Sequence, residues 1–160
     1  MKFEDISPIL KDIPYMSRTQ GKIIYDLIIE QNLDNILELG TAYGTGSCYM
    51  ASALEERKSG HIITIDKADS THKSPNIQEL AEKCKLSSYI TSISANTTYN
   101  WELMKLIDKH TVNGVCDPVF DFCYIDGAHN FETDACAFFL VDKLLKPNGL
   151  LLFDDLNWTY

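Results

Sequence analysis

Five short apolar runs recur along the chain at 35–39, 62–65, 89–94, 120–125 and 150–153, separated by stretches with helical spacing. Runs this short suit strands buried on both faces, and strands that alternate with helices build a parallel sheet covered on each side. The spacing predicts a helix over 19–31, where Ile23, Ile24, Leu27 and Ile28 mark one face. It predicts a second over 47–58, with Met50, Ala51 and Leu54 inward and Gly60 closing it. Three more are expected over 75–85, with Pro75 in the first turn, over 101–109 and over 131–145. The polar stretch 67–74 reads as a loop and 147–149 as a turn. The chain is therefore expected to be α/β, with a doubly wound, mostly parallel sheet. Acidic residues stand at or beside the carboxyl ends of four runs: Glu38, Asp66, Asp126, and the pair Asp154 and Asp155. Ligands of such sheets bind beyond those ends, at the point where strand order reverses.

Composition narrows what the ligand is. The 160 residues suit a single domain over 1–160, with 1–18 as an N-terminal extension. The net charge of −9 opposes a nucleic acid as partner, because neutralising phosphates needs a basic face. It equally opposes an anionic membrane surface, and no apolar run approaches the ~18 residues of a membrane span. Glu4 and Asp5 interrupt the N-terminus, which is no signal peptide. The five cysteines form no C-x-x-C pair and are odd in number, so free thiols in a reducing cytoplasm are expected.

The first apolar run leads straight into Glu38-Leu39-Gly40-Thr41-Ala42-Tyr43-Gly44-Thr45-Gly46-Ser47. Glycines there let the backbone turn sharply and come close to a ligand. Their G-x-x-x-G-x-G spacing departs from the G-x-G-x-x-G of a dinucleotide site. An acid two residues before Gly40 suits a cationic or hydroxyl-rich ligand better than a phosphate. Asp66, about twenty residues further on, is placed to accept both hydroxyls of a ribose.

Taken together with Asp66, the run ILELGTAYGTGSCYMASAL followed by ITIDKAD resembles the first two motifs of class I S-adenosylmethionine-dependent methyltransferases. FDFCYIDGAHNFETDACAFFLVDKLLKPNGLLLFDD is similar to their fourth- and fifth-strand region. The nearest likeness is to small-molecule O-methyltransferases of the catechol and antibiotic-sugar (macrocin) types, over about Gln20 to Asp155. The resemblance implies a Rossmann-like methyltransferase fold, S-adenosylmethionine as cofactor and a small-molecule methyl acceptor. It places Glu38, Gly40, Thr41, Gly44, Thr45, Gly46 and Ser47 along the methionine and ribose parts of the site. Asp66 holds the ribose, and Ala95 and Asn96 fall where the family contacts adenine. Ala42 departs from the glycine that many members carry.

Methyl transfer from a sulfonium needs an aligned acceptor and a group to take its proton. His129, three residues after Asp126, ionises near neutral pH when unperturbed and suits that role. The plainer alternative makes it a solvated residue at the start of the next helix. In metal-dependent relatives a basic catalytic residue follows the fourth-strand aspartate by three positions, where His129 stands. Asp126, Asp154 and Asp155 offer oxygen ligands to a hard cation such as Mg²⁺, which would lower the pKa of an acceptor hydroxyl. Asp154 and Asp155 also read as a strand end and helix cap, and Asp155 replaces an asparagine common in the catechol type. His61, His72 and His110 read as surface, and Tyr99 and Trp101 as helix-face core in preference to a lid over adenine.

This fold usually carries two more strands beside the fifth, so the C-terminal strands are expected to be missing. That opens the outer edge of 150–153 to self-association as a homodimer, in preference to cover by the segment before Thr19 or the tail after Asp155. Two other functions remain open: a non-catalytic S-adenosylmethionine-binding or oligomerisation module, and a nucleotide-dependent oxidoreductase, which the glycine spacing opposes.

Overall fold

The computed structural model describes residues 1–154. The described elements run α1 (Phe3–Leu10), α2 (Arg18–Gln31), β1 (Asn35–Leu39), α3 (Thr45–Arg57), β2 (His61–Lys67), α4 (Ile77–Lys83), β3 (Ile90–Ala95), α5 (Tyr99–Lys109), β4 (Thr111–Val112), β5 (Val115–Cys116), β6 (Phe120–Ile125), α6 (Phe131–Leu144) and β7 (Leu145–Phe153). The five long strands pair in parallel in the order β3-β2-β1-β6-β7. Strand residues then divide by parity. Ile36, Ile62, Phe122 and Tyr124 pack with α1, α2, α3 and α4. Leu37, Leu39, Ile65, Cys123 and Ile125 pack with α5 and α6. The expected doubly wound sheet follows, with its strand order reversing between β1 and β6.

Several boundaries differ from the sequence expectations, each for a local reason. The N-terminal extension carries a helix: Phe3, Ile6 and Leu10 form one buried face of α1, and the Phe3 ring lies 5.1 Å from Tyr25 and 5.2 Å from Tyr49. The buried face of α2 is Gly21, Ile24, Tyr25 and Ile28, while Ile23 points outward. Gly21 belongs to it because a Cβ there would lie 2.3 Å from the Tyr49 ring. α3 ends at Lys58 in the left-handed region, with the Ser59 amide donating to the Leu54 carbonyl. Gly60 serves a different purpose: a Cβ on it would meet the Asp34 carbonyl at 2.4 Å. Pro75 precedes α4, whose cap is Asn76. The β4–β5 hairpin turns on Asn113-Gly114, both at positive φ, a dipeptide that signals such a turn.

Leu150–Phe153 were expected to be fully buried, yet they are half-exposed. Among the described residues β7 pairs only with β6, so one side of it has no strand beside it. All five cysteines carry free thiols; Cys48, Cys84 and Cys123 are buried. Among the described residues no helix is long and apolar enough to cross a membrane.

Candidate active site

Backbone hydrogen bonds tie the end of β1 to both of its neighbours, β2 and β6, beside the point where strand order reverses. The Gly40 amide donates to the Ile65 carbonyl at 2.9 Å, and the Asp126 amide to the Leu39 carbonyl at 2.8 Å. Gly40 has φ +97, and a Cβ there would sit 2.0 Å from the Asp126 carbonyl oxygen. Only glycine turns the chain off β1 at this point. The loop reaches α3 through Gly44, and Gly46 in the first turn leaves room for the side chain beneath it: a Cβ on Gly46 would lie 2.7 Å from Glu38 Oε1.

Glu38 is 1% exposed. Ser47 Oγ donates to its Oε2, and Thr64 also hydrogen-bonds it. Thr64 in turn shares a 2.6 Å hydrogen bond with Thr41. Burial pushes the Glu38 carboxyl up to about 8 from an ordinary 4.5, against the pull of the Ser47 and Thr64 hydrogen bonds, and the Asp126 and Asp66 charges add to the rise. Three carboxylates thus surround the glycine loop, and a cation entering among them would favour the charged form of Glu38.

Asp66 tightens the same loop. Its Oδ2 accepts the Thr41 amide at 3.0 Å and the Ala42 amide at 2.7 Å, while Oδ1 accepts the Lys67 amide at 2.7 Å. Ala42 sits at φ +48, a left-handed conformation that glycine adopts more readily than alanine. Beside Asp66 opens a cavity of about 280 Å³, walled by Lys67, Thr98, Tyr99, Gly127 and Asn130. Ala95 lies in the core and Asn96 on the surface; Thr97 and Thr98 line this cavity instead. Thr45 opens α3, and its hydroxyl donates to the Pro14 carbonyl at 3.3 Å.

Asp126 and Asp154 stand at neighbouring strand ends, since Ile125 pairs with Phe153 and the Asp154 amide donates to the Ile125 carbonyl. Tyr124, buried beneath them, donates its hydroxyl to Asp154 Oδ2. Asp155 lies outside the described residues, and among those described no three His, Cys, Asp or Glu side chains converge as a metal site. His129 follows at φ +52 in the loop between β6 and α6 and is half-buried. Tyr99 is core as expected, but Trp101 is exposed.

Sequence reasoning missed the cover of the glycine loop. Met16 is buried, with its Cε 3.1 Å from the position a Gly46 Cβ would take. Tyr15 stacks on Tyr43 at 5.8 Å, and the Lys73 ammonium lies 4.8 Å from the Tyr43 ring centre. Under this cover a cavity of about 20 Å³ remains over Glu38, Gly40 and Asp126. Nothing in the sequence around Tyr15 marks it as part of a site.

Residues 37–156 match the profile of the family described as "Methyltransferase domain". The chain belongs to that methyltransferase-domain family. No curated protein sequence matches it. Its fold is that of solved O-methyltransferases. An O-methyltransferase from Bacillus cereus in complex with S-adenosylhomocysteine superposes with a TM-score of 0.72 at 23% identity, covering 94% of this chain and 64% of that one. An O-methyltransferase from Streptomyces achromogenes involved in tomaymycin synthesis, in complex with S-adenosylmethionine, gives 0.68 at 19% identity, covering 94% of this chain and 63% of that one. A methyltransferase from Podospora anserina, bound to S-adenosylhomocysteine, gives 0.72 at 18%, covering 95% and 61%. The chain thus spans less than two thirds of the length of each.

Proposed function

We propose that this chain binds S-adenosylmethionine and transfers its methyl group to a hydroxyl of a small molecule in the cytoplasm. The arrangement that carries the reading is the glycine loop held between two carboxylates, Glu38 beneath and Asp66 beside it. The donor chemistry fits the cofactor. Asp66 keeps lone pairs on Oδ1 for a ribose hydroxyl after serving the Lys67 amide, and the neighbouring cavity of about 280 Å³ has room for the adenosine half. Glu38 is placed to face the cationic half, where the 20 Å³ remnant requires Met16 and Tyr15 to move aside.

The bound cofactor would supply an electrophilic sulfonium methyl. The chain's own part is to seat the ribose on Asp66, hold positive charge near Glu38, and exclude water with the Tyr15–Met16 cover. His129 takes the proton of the acceptor hydroxyl. Asp126 and Asp154, with Asp155 as third donor, would offer oxygen ligands to a divalent cation. Calorimetry with S-adenosylhomocysteine tests the reading. Wild type should bind, and Asp66→Ala should weaken binding by about 1–3 kcal/mol, the worth of a charged acceptor. No binding at millimolar ligand, or tighter binding of NAD, would overturn it. A chain that binds but transfers no methyl group would be the non-catalytic module.

A further inference from the structure

We propose that Tyr99 and Asp134 are positioning residues, which hold the loop carrying His129 in its working geometry; the proposal rests on His129 acting as the base. Tyr99 begins α5 and is 4% exposed. Its hydroxyl reaches across to α6 and donates to Asp134 Oδ1. The same hydroxyl oxygen accepts the Ala128 amide at 3.2 Å. Asp134 Oδ2 accepts the Asn130 amide at 3.0 Å. The two amides that flank His129 therefore end on one phenol–carboxylate pair. Burial and the Asp134 carboxylate push the Tyr99 phenol above its ordinary value, so it remains an O–H donor.

Two further observations separate this from ordinary helix capping. The first turn of α6 already has its cap, because Asn130 Oδ1 accepts the Thr133 amide at 2.9 Å. Asp134 Oδ2 completes that cap reciprocally by taking the amide of Asn130, the capping residue itself, whereas its Oδ1 and the Tyr99–Ala128 hydrogen bond lie outside the cap and tie the loop to α5. Second, His129 sits at φ +52. That conformation costs a non-glycine residue energy, which contacts around the loop must offset. The Tyr99 ring also fixes the backbone two residues before His129, since a Cβ on Gly127 would lie 2.6 Å from Tyr99 Cε1. Gly127, Ala128 and Asn130 are thereby clamped by two helices on the face of the sheet opposite Glu38. Such precision matters because misplacing a catalytic group by about 1 Å costs on the order of 10² in rate. Tyr99, Gly127, Ala128 and Asn130 also wall the cavity beside Asp66, so the seat proposed for the adenosine and the loop of the base share one frame.

The test is Tyr99→Phe in the full chain, which keeps the ring against Gly127 and removes only the hydroxyl. Amide hydrogen exchange should quicken by about 10-fold or more at Ala128 and Asn130, while the capped Thr133 amide stays as slow as in wild type. The His129 imidazole resonances should shift, and Asp134→Asn should reproduce the pattern at Asn130. Unmoved exchange at 128 and 130 with an unmoved His129 signature would overturn the positioning role. So would faster exchange spread evenly through the first turn of α6, which marks a capping effect. Failure of the underlying reading is distinguishable: turnover unchanged in His129→Ala would remove the base, and the positioning role with it, whatever the exchange rates show.

Discussion

Replacing Glu38 by glutamine probes the electrostatics at the floor of the site. The folded-state value lies near 8, above the ordinary 4.5, because burial disfavours the charged form. A group raised in this way lends its full stability below 4.5 and loses it as pH rises towards 8. Across that window the unfolded chain has released the proton and the native state has kept it. Stability then falls by about 1.4 kcal/mol per pH unit. Between pH 5 and pH 7 wild type should lose about 2–3 kcal/mol from this group alone. Glutamine matches the shape of the protonated carboxyl, its carbonyl oxygen still accepts from Ser47, and it does not titrate. Urea denaturation at pH 5, 6 and 7, followed by circular dichroism, should show Glu38→Gln gaining on wild type by that amount between pH 5 and pH 7. The ligand reverses the preference. Calorimetry at pH 7 in two buffers of different ionisation enthalpy should show S-adenosylmethionine expelling about one proton from wild type. Glu38→Gln should expel none and bind about 10–100-fold more weakly. Parallel stability profiles for the two proteins would refute a protonated Glu38.

Ala42→Gly should raise the thermal midpoint by about 2–4 °C in calorimetry, the equivalent of about 1 kcal/mol, because glycine tolerates the φ of +48 that alanine resists; a lower midpoint would show that the turn is not strained. His129→Ala should cut methyl transfer by about 10²–10⁴ while the affinity for S-adenosylhomocysteine stays within a factor of two or so; equal turnover would return His129 to the surface. Mn²⁺ titrated by electron paramagnetic resonance should bind wild type and not Asp154→Ala, and binding indifferent to that change would remove Asp154 as a ligand.

The local features were legible in the sequence. Asn35–Leu39, Phe120–Ile125 and the glycine loop stand where the apolar runs and the glycine spacing put them, because strand length, buried faces and backbone turns depend on residues within a few positions. The acids at strand ends were legible for the same reason. Tertiary structure decided how they meet. Tyr99 and Asp134 are 35 residues apart, and Tyr124 and Asp154 are 30 apart; each pair joins across a crossover that leaves no local pattern. Met16 covers Gly46 only because α1 packs on α2 and α3, and the Phe3, Ile6 and Leu10 spacing of so short a helix is a weak signal in the sequence. The protonation of Glu38 depends on how completely α3 and β2 shut out water, a property of the assembled core. Sequence specifies which groups stand at the mouth of the sheet; close packing between segments far apart in the chain sets their partners, charge and freedom to move.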